Sequence, residues 1–237
     1  MAESTSALSF EGFPRETFRW FAGLEAENSK VYFTAHRDTY DNAVRGALEA
    51  MLEQLADELG GRVRMFRQNR DIRFSADKSP YKTTTYGLIV ERPDSLAAVY
   101  AQLSARGLFA GTGYHVLAAD QLTRFRDAIA DDTTGHALET AIATAEAAGV
   151  ETFGQALKTA PRGYPRDHRR VNLLRHKSLI AGRRLQPGAK GITRDAALEH
   201  TRTTWAACVP LNAWLDDHVG ASEIPPETRY GRGGRSR

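Results

Sequence analysis

Apolar positions recur at helical spacing in the first sixty residues and alternate thereafter. Behind Pro14, which suits the first turn of a helix, Phe18, Phe21 and Leu24 follow at intervals of three and predict a short helix from about Pro14 to Glu27. Tyr40, Val44, Leu48, Met51, Leu55 and Leu59 continue the period, with Arg45, Glu49, Glu53 and Asp57 off the stripe. Gly60-Gly61 supplies a left-handed stop, so a second helix is expected from about Thr34 to Leu59. At Arg62 the period falls to two: Arg62-Val63-Arg64-Met65-Phe66-Arg67 alternates, and Ile72-Arg73-Phe74 begins another short extended piece. Tyr86 to Val90, Ala97 to Leu103 and Leu108 to Gly113 are further strand candidates, joined by Arg92-Pro93-Asp94 and Ala105-Arg106-Gly107. Strands joined by such short turns must pair antiparallel, because a parallel crossover needs a longer connection.

Helical spacing returns in Leu122, Phe125 and Ile129, and again in Leu138, Ile142 and Ala145. After the rigid turn Pro161-Arg162-Gly163-Tyr164-Pro165, Val171 and Leu174 suggest a short helix. Thr193 is placed to cap a helix through Leu198 and Trp205, and Pro210 starts a second piece with Leu211, Trp214 and Leu215. The pattern describes an α+β fold: N-terminal helices, a central antiparallel meander, then C-terminal helices packed on one face. One domain is expected over 10–220, between a flexible start (1–9) and a disordered basic tail (221–237) containing Pro225-Pro226 and Gly-Arg repeats.

Composition changes this picture little, and charge changes it more. Hydrophobic residues at 41% and charged residues at 26% exclude collagen-like and disordered chains. The single cysteine, Cys208, permits no internal disulfide and fits a cytoplasmic setting, as does the start MAESTSALSF with no basic and apolar leader. No segment approaches the length of a membrane span. The net charge of +3 conceals an imbalance. Residues 1–160 carry 17 basic and 22 acidic side chains (−5), whereas residues 161–237 carry 15 and 7 (+8). Within these halves, Arg62 to Lys82 and Pro161 to Lys190 are the basic segments, and a surface of one sign attracts anions.

The first basic segment holds the densest chemistry, in Arg70-Asp71-Ile72-Arg73-Phe74-Ser75-Ala76-Asp77-Lys78-Ser79-Pro80-Tyr81-Lys82. Were it extended, Asp71, Arg73 and Ser75 would share one face while Ile72 and Phe74 anchored the other. Arg70, Arg73, Lys78, Tyr81 and Lys82 are then the candidate wall of an anion site, joined by Arg37, Arg162 and Arg175. Asp71 and Asp77 are the candidate acid or base, and the competing reading is that they only pair with neighbouring cations. In the second segment Arg166, Arg169 and Arg170 would share a helix face.

The run Arg70 to Lys82 resembles the hallmark of a bacterial family of conserved hypothetical proteins catalogued as domain of unknown function 2461. The resemblance extends to Trp20-Phe21, Asn28, Tyr32 to Arg37 with Tyr40, Gly111 and Gly113, Pro161 to Tyr164 and Leu173 to Lys177, covering about residues 10–215. It implies a cytoplasmic single-domain protein and supplies no reaction. Where the family often has a second asparagine beside Asn28, this chain has Ser29.

Other motifs subtract more than they add. Gly111-Thr112-Gly113-Tyr114 lacks the third glycine of a dinucleotide fingerprint and reads as a bulge or a close backbone approach. Seven histidines are scattered, no spacing asks for a metal, and Cys208 sits in an apolar helix end. The leading expectation is an anionic or phosphorylated small molecule bound in a basic groove around Arg70 to Lys82. The alternatives are an enzyme acting on such a ligand, a nucleic-acid binder in which Phe66, Phe74 and Tyr81 stack on bases, or a partner-binding role. Cofactor and oligomeric state are left open.

Overall fold

The computed structural model describes residues 9–73 and 75–225. The stripe behind Pro14 folds as α1 (Arg15–Ala26), after a short strand β1 (Gly12–Pro14). Ser29 opens α2 (Lys30–Ala35) by accepting the Tyr32 N–H at 3.0 Å, so the residue that departs from the family pattern is a helix cap. The unbroken helix expected from Thr34 to Leu59 is instead α2, α3 (Arg37–Thr39), a π-helical segment (Tyr40–Gly46) and α4 (Ala47–Leu59). At the wide turn the Ala43 carbonyl accepts the buried Thr17 hydroxyl at 2.8 Å, which locks the irregularity onto α1.

Strands β2 (Arg62–Met65), β3 (Thr85–Val90), β4 (Ala98–Ser104) and β5 (Gly107–Tyr114) follow, then α5 (Ala119–Ala130), α6 (Asp132–Ala147), β6 (Glu151–Phe153) and α7 (Val171–Leu174). The chain continues through β7 (Leu179–Leu185), β8 (Gly191–Thr193), α8 (Arg194–Ala207) and α9 (Val209–His218). The fold is α+β, with an antiparallel six-stranded sheet in the order β2-β3-β4-β5-β7-β6 and a two-stranded sheet pairing β1 with β8. The first four strands are the expected meander. Strands β1, β6, β7 and β8 carry no alternation that separates them from the loops around them, and the pattern misses them. Gly113, at φ 120°, brings β5 so near Leu179 that a Cβ would lie 2.4 Å from its carbonyl oxygen, the close approach its sequence suggests.

The described residues fall into two compact units, one of residues 1–93, 99–110 and 184–203, the other of 94–98, 111–183 and 204–237. In the first, Phe13, Phe18, Phe21, Leu24, Leu48, Leu52 and Leu55 are buried with Ile89, Val99 and Leu103 from the sheet. In the second, Phe125, Ile129, Leu138, Leu174, Leu211, Trp214 and Leu215 form one apolar cluster around Cys208. Burial pushes the Cys208 thiol up to about 11, as befits a core residue. Residues 1–8 and 226–237 of the expected flexible start and tail lie outside the described residues. Ser222 and Glu223, from the start of that tail, donate to Asp120, each at 2.8 Å. No helix among the described residues is long and apolar enough to cross a membrane.

Candidate functional site

The run Arg70 to Lys82 is a closed loop rather than a strand. Asn69 and Tyr81 face each other as an isolated antiparallel bridge, the Arg70 N–H donates to the Pro80 carbonyl and the Lys82 N–H to the Gln68 carbonyl, each at 2.9 Å. Between them Ile72 and Arg73, the described part of the extended piece expected there, are not in a strand. The Ser75 N–H turns back to the Ile72 carbonyl at 3.3 Å, and that carbonyl also accepts the Lys78 ammonium at 3.1 Å. Local charged donors thus take the backbone acceptor that a sheet partner would need. Ile72 is half-buried, and Phe74 lies outside the described residues.

The base of the loop is anchored in an aromatic cluster. Asn28 donates to the Tyr81 carbonyl at 3.0 Å and accepts the Tyr81 N–H at 3.1 Å, satisfying both main-chain groups of one residue. Tyr81 is 8% exposed and stacks on Phe33 with ring centroids 4.3 Å apart at 13°. Phe33 in turn contacts Trp20 and Tyr40. Tyr81 is therefore a buried anchor of the loop.

Both candidate acid/base residues are paired with an arginine. The Arg73 guanidinium grips Asp71 through two bonds of 2.9 and 2.6 Å and holds its carboxyl at about 2. Ser79 and Arg70 hold Asp77 far below the usual carboxylate range, with the Ser79 N–H donating at 2.9 Å. Carboxylates so deeply ionised are poor proton acceptors near neutrality, which argues against Asp71 or Asp77 as a general base. Because the folded value lies below the ordinary 3.8, the pairing stabilises the fold above about pH 4 and is lost as pH falls toward 2. Carboxyl-carbon NMR should show Asp71 titrating near pH 2, and Arg73→Gln should return the midpoint toward 3.8. A wild-type midpoint at 3.8 would refute the pairing.

Lys82 leads from the loop to a different surface. Its ammonium donates to the Arg67 carbonyl at 2.6 Å, approaches the Tyr86 hydroxyl at 3.5 Å and lies 4.9 Å from the centre of the Tyr86 ring. Register places Arg64 opposite Leu88 and Leu88 opposite Tyr100, so Arg64, Phe66, Tyr86, Leu88, Tyr100 and Gln102 share one sheet face. The odd-numbered positions of β3 and β4, including Ile89, Val99 and Leu103, are buried on the other. Across the first face runs a row of half-buried rings: Phe66 stacks on Tyr86 (4.7 Å, 26°), Tyr86 leans on Tyr100 (5.7 Å) and Tyr100 meets Phe109 edge-on (6.0 Å).

Cations flank this row. The guanidinium of Arg64 lies 5.1 Å from the centre of Phe66 and that of Arg184 5.4 Å from Phe109, with Arg184 also donating to the Ser104 hydroxyl at 3.2 Å. Burial and the charge of Arg67 lower the Lys82 pKa, and burial and the charge of Arg106 lower that of Arg184. On the same face by register, Arg62 is paired with Glu91 at 2.6 Å. All of these residues belong to the first unit. Sequence reading missed Arg64, Arg67, Tyr86, Tyr100, Phe109, Arg106 and Arg184. The available signal was bulky aromatics at the solvent-side parity of successive strands, but cross-strand register is needed to align them.

Three candidates remain, Arg37, Arg162 and Arg175. Arg37 is exposed and pairs with Asp41 one turn on at 3.1 Å. Arg162 and Arg175 belong to the second unit, where Arg162 is exposed and Arg175 donates to the Leu157 carbonyl at 2.6 Å. The expected helical face of Arg166, Arg169 and Arg170 does not form, because α7 begins at Val171. Arg169 binds Asp132 and Glu139, each at 3.5 Å, and the Arg170 side chain is fully buried. A family model described as conserved hypothetical protein (DUF2461) matches residues 16–214. No curated protein matches the chain.

Proposed function

The chain belongs to the conserved hypothetical protein (DUF2461) family, a description that carries no activity, and we propose that it binds an anionic or phosphorylated ligand on the aromatic face of its sheet, beside Lys82. The observation that carries this reading is that Arg64, Lys82 and Arg184 each lie against a ring on one face. Cations held against rings are positioned before a ligand arrives, which reduces the ordering cost of binding. The reading moves the centre of the site from the loop to its last residue, because Arg70 and Arg73 are already neutralised by Asp77 and Asp71. A cytoplasmic setting is consistent with the single, buried Cys208. An enzymatic reading is less favoured, since it would rest on two carboxylates that arginines hold ionised.

Titration calorimetry with inorganic tripolyphosphate tests this directly. Charge-assisted hydrogen bonds contribute about 1.5–3 kcal/mol each, so Arg64→Gln with Lys82→Gln should weaken binding at least tenfold. Arg73→Gln should leave it unchanged, as Arg73 is spent on Asp71. Equal affinities for wild type and the double variant would sink the proposal.

A further inference from the structure

We propose that the ligand of this face is a short run of single-stranded nucleic acid, its phosphates on Arg64, Lys82 and Arg184 and its bases against the row of rings those cations flank. This rests on reading the face as an anion site and adds the class of ligand. Scale is the first argument. Arg64 stands on β2 and Arg184 on β7, four strand intervals apart in the sheet order, which at roughly 4.8 Å per interval is about 19 Å. A small anion reaches one end of that distance, whereas a chain of a few nucleotides spans it.

The rings are the second argument. Phe66, Tyr86, Tyr100 and Phe109 lie in a row and are only half-buried, and apolar surface in such a contiguous row marks an interaction site. Phe66 and Tyr86 stack at 26°, and the tilts of 42° and 63° farther along break the rest of the row into facets. Every base has an aromatic face to lay on such a surface, and stacking contributes about 1–3 kcal/mol per base whatever the sequence. A sheet face carrying aromatics with cations at its margins suits single strands, while a duplex would need an element to enter a groove. An acidic peptide would use the cations and leave the outer faces of the rings uncovered.

The test uses the full chain and three probes: a fluorescein-labelled ten-nucleotide oligouridylate, inorganic tripolyphosphate and a decaglutamate peptide. Phe66→Leu and Tyr100→Leu, checked for folding by circular dichroism, should each weaken oligouridylate about tenfold and leave tripolyphosphate within twofold. Arg64→Gln with Lys82→Gln should weaken both probes and reduce the slope of log affinity against log salt by about 1.4, roughly 0.7 for each phosphate no longer neutralised. The charge-matched pair Arg162→Gln and Arg166→Gln, in the second unit, should lose little. If the leucine variants bind oligouridylate as wild type does while the charge variant weakens both probes, the anion site stands and the nucleic-acid assignment falls. Decaglutamate binding as tight as oligouridylate overturns it in favour of an acidic peptide. Charge variants that alter neither probe overturn both readings. Should a leucine variant not fold, photo-crosslinking of wild type with 5-iodouridine decides: adducts on Phe66, Tyr86, Tyr100 or Phe109 are expected, and adducts confined elsewhere refute the proposal.

Discussion

Replacing Arg170 with alanine should lower stability by about 3–5 kcal/mol, read as a fall in the urea midpoint at unchanged slope. The side chain is 0% exposed, among the largest fully buried in the molecule. Its guanidinium donates to the carbonyls of Asp131 and Asp132, each at 3.2 Å, and of Ile129 at 3.4 Å, and pairs with Glu139 at 3.1 Å and Asp132 at 3.3 Å. The Ile129 carbonyl lies in the last turn of α5, where a helix leaves acceptors without intrahelical partners and favours a cation, whereas the Asp131 carbonyl also accepts the Gly135 N–H at 2.9 Å. Alanine would remove the donor to the Ile129 carbonyl and the second donor to the Asp131 and Asp132 carbonyls, and would open a void the size of the side chain, penalties that add. The surviving carboxylates contribute less, since Asp132 is 84% exposed and Glu139 36%, and both can be hydrated. Arg170→Lys should recover only part, because one ammonium cannot reproduce the planar fork. Gly135 is part of the same cage: a Cβ there would lie 2.7 Å from the guanidinium. A midpoint for Arg170→Ala indistinguishable from wild type would mean that Arg170 does not hold the α5–α6 turn.

Arg170 also shows where the sequence stopped being readable. Its spacing from Arg166 and Arg169 is helical, and a run of cations ordinarily marks a solvated face, so nothing local told it from its neighbours. What separates it is acceptors more than thirty residues away in sequence, and only the folded chain brings them together. The meander and the long apolar helices were legible because their signals are local: alternation in β3 and β4, and three- and four-residue spacing from Tyr40 to Leu59. The π-helical segment was invisible for the opposite reason, since its register depends on a Thr17 hydroxyl from another helix. The motif Arg70 to Lys82 stands out in the sequence, whereas the pairing of its charges with one another does not. Most of its charges close the loop on itself, its tyrosine is buried, and Lys82 alone among its cations lies over a ring of the aromatic face. Charged residues were read as facing a ligand because the backbone path that lets them face one another had no sequence signature.

Removing the Tyr81 ring should separate the loop's structural part from its chemical one. Truncating a buried aromatic costs about 3–5 kcal/mol, and Tyr81→Ala forfeits the stack on Phe33 while leaving the two Asn28 bonds on a loosened backbone. Tyr81→Phe keeps the ring and should remain near wild-type stability. The alanine variant, if still folded, should show faster amide exchange at Arg70 and Lys82, whose N–H groups close the loop at 2.9 Å. It should also bind tripolyphosphate several-fold more weakly with every cation still in place, because Lys82 reaches Tyr86 only while the residue before it is pinned. Asn28→Ala should act in the same direction and less strongly, at about 1–2 kcal/mol for two neutral hydrogen bonds. If Tyr81→Ala accelerates exchange and leaves tripolyphosphate affinity untouched, Lys82 is positioned by its bonds to Arg67 and Tyr86 alone, and the loop has no part in the site.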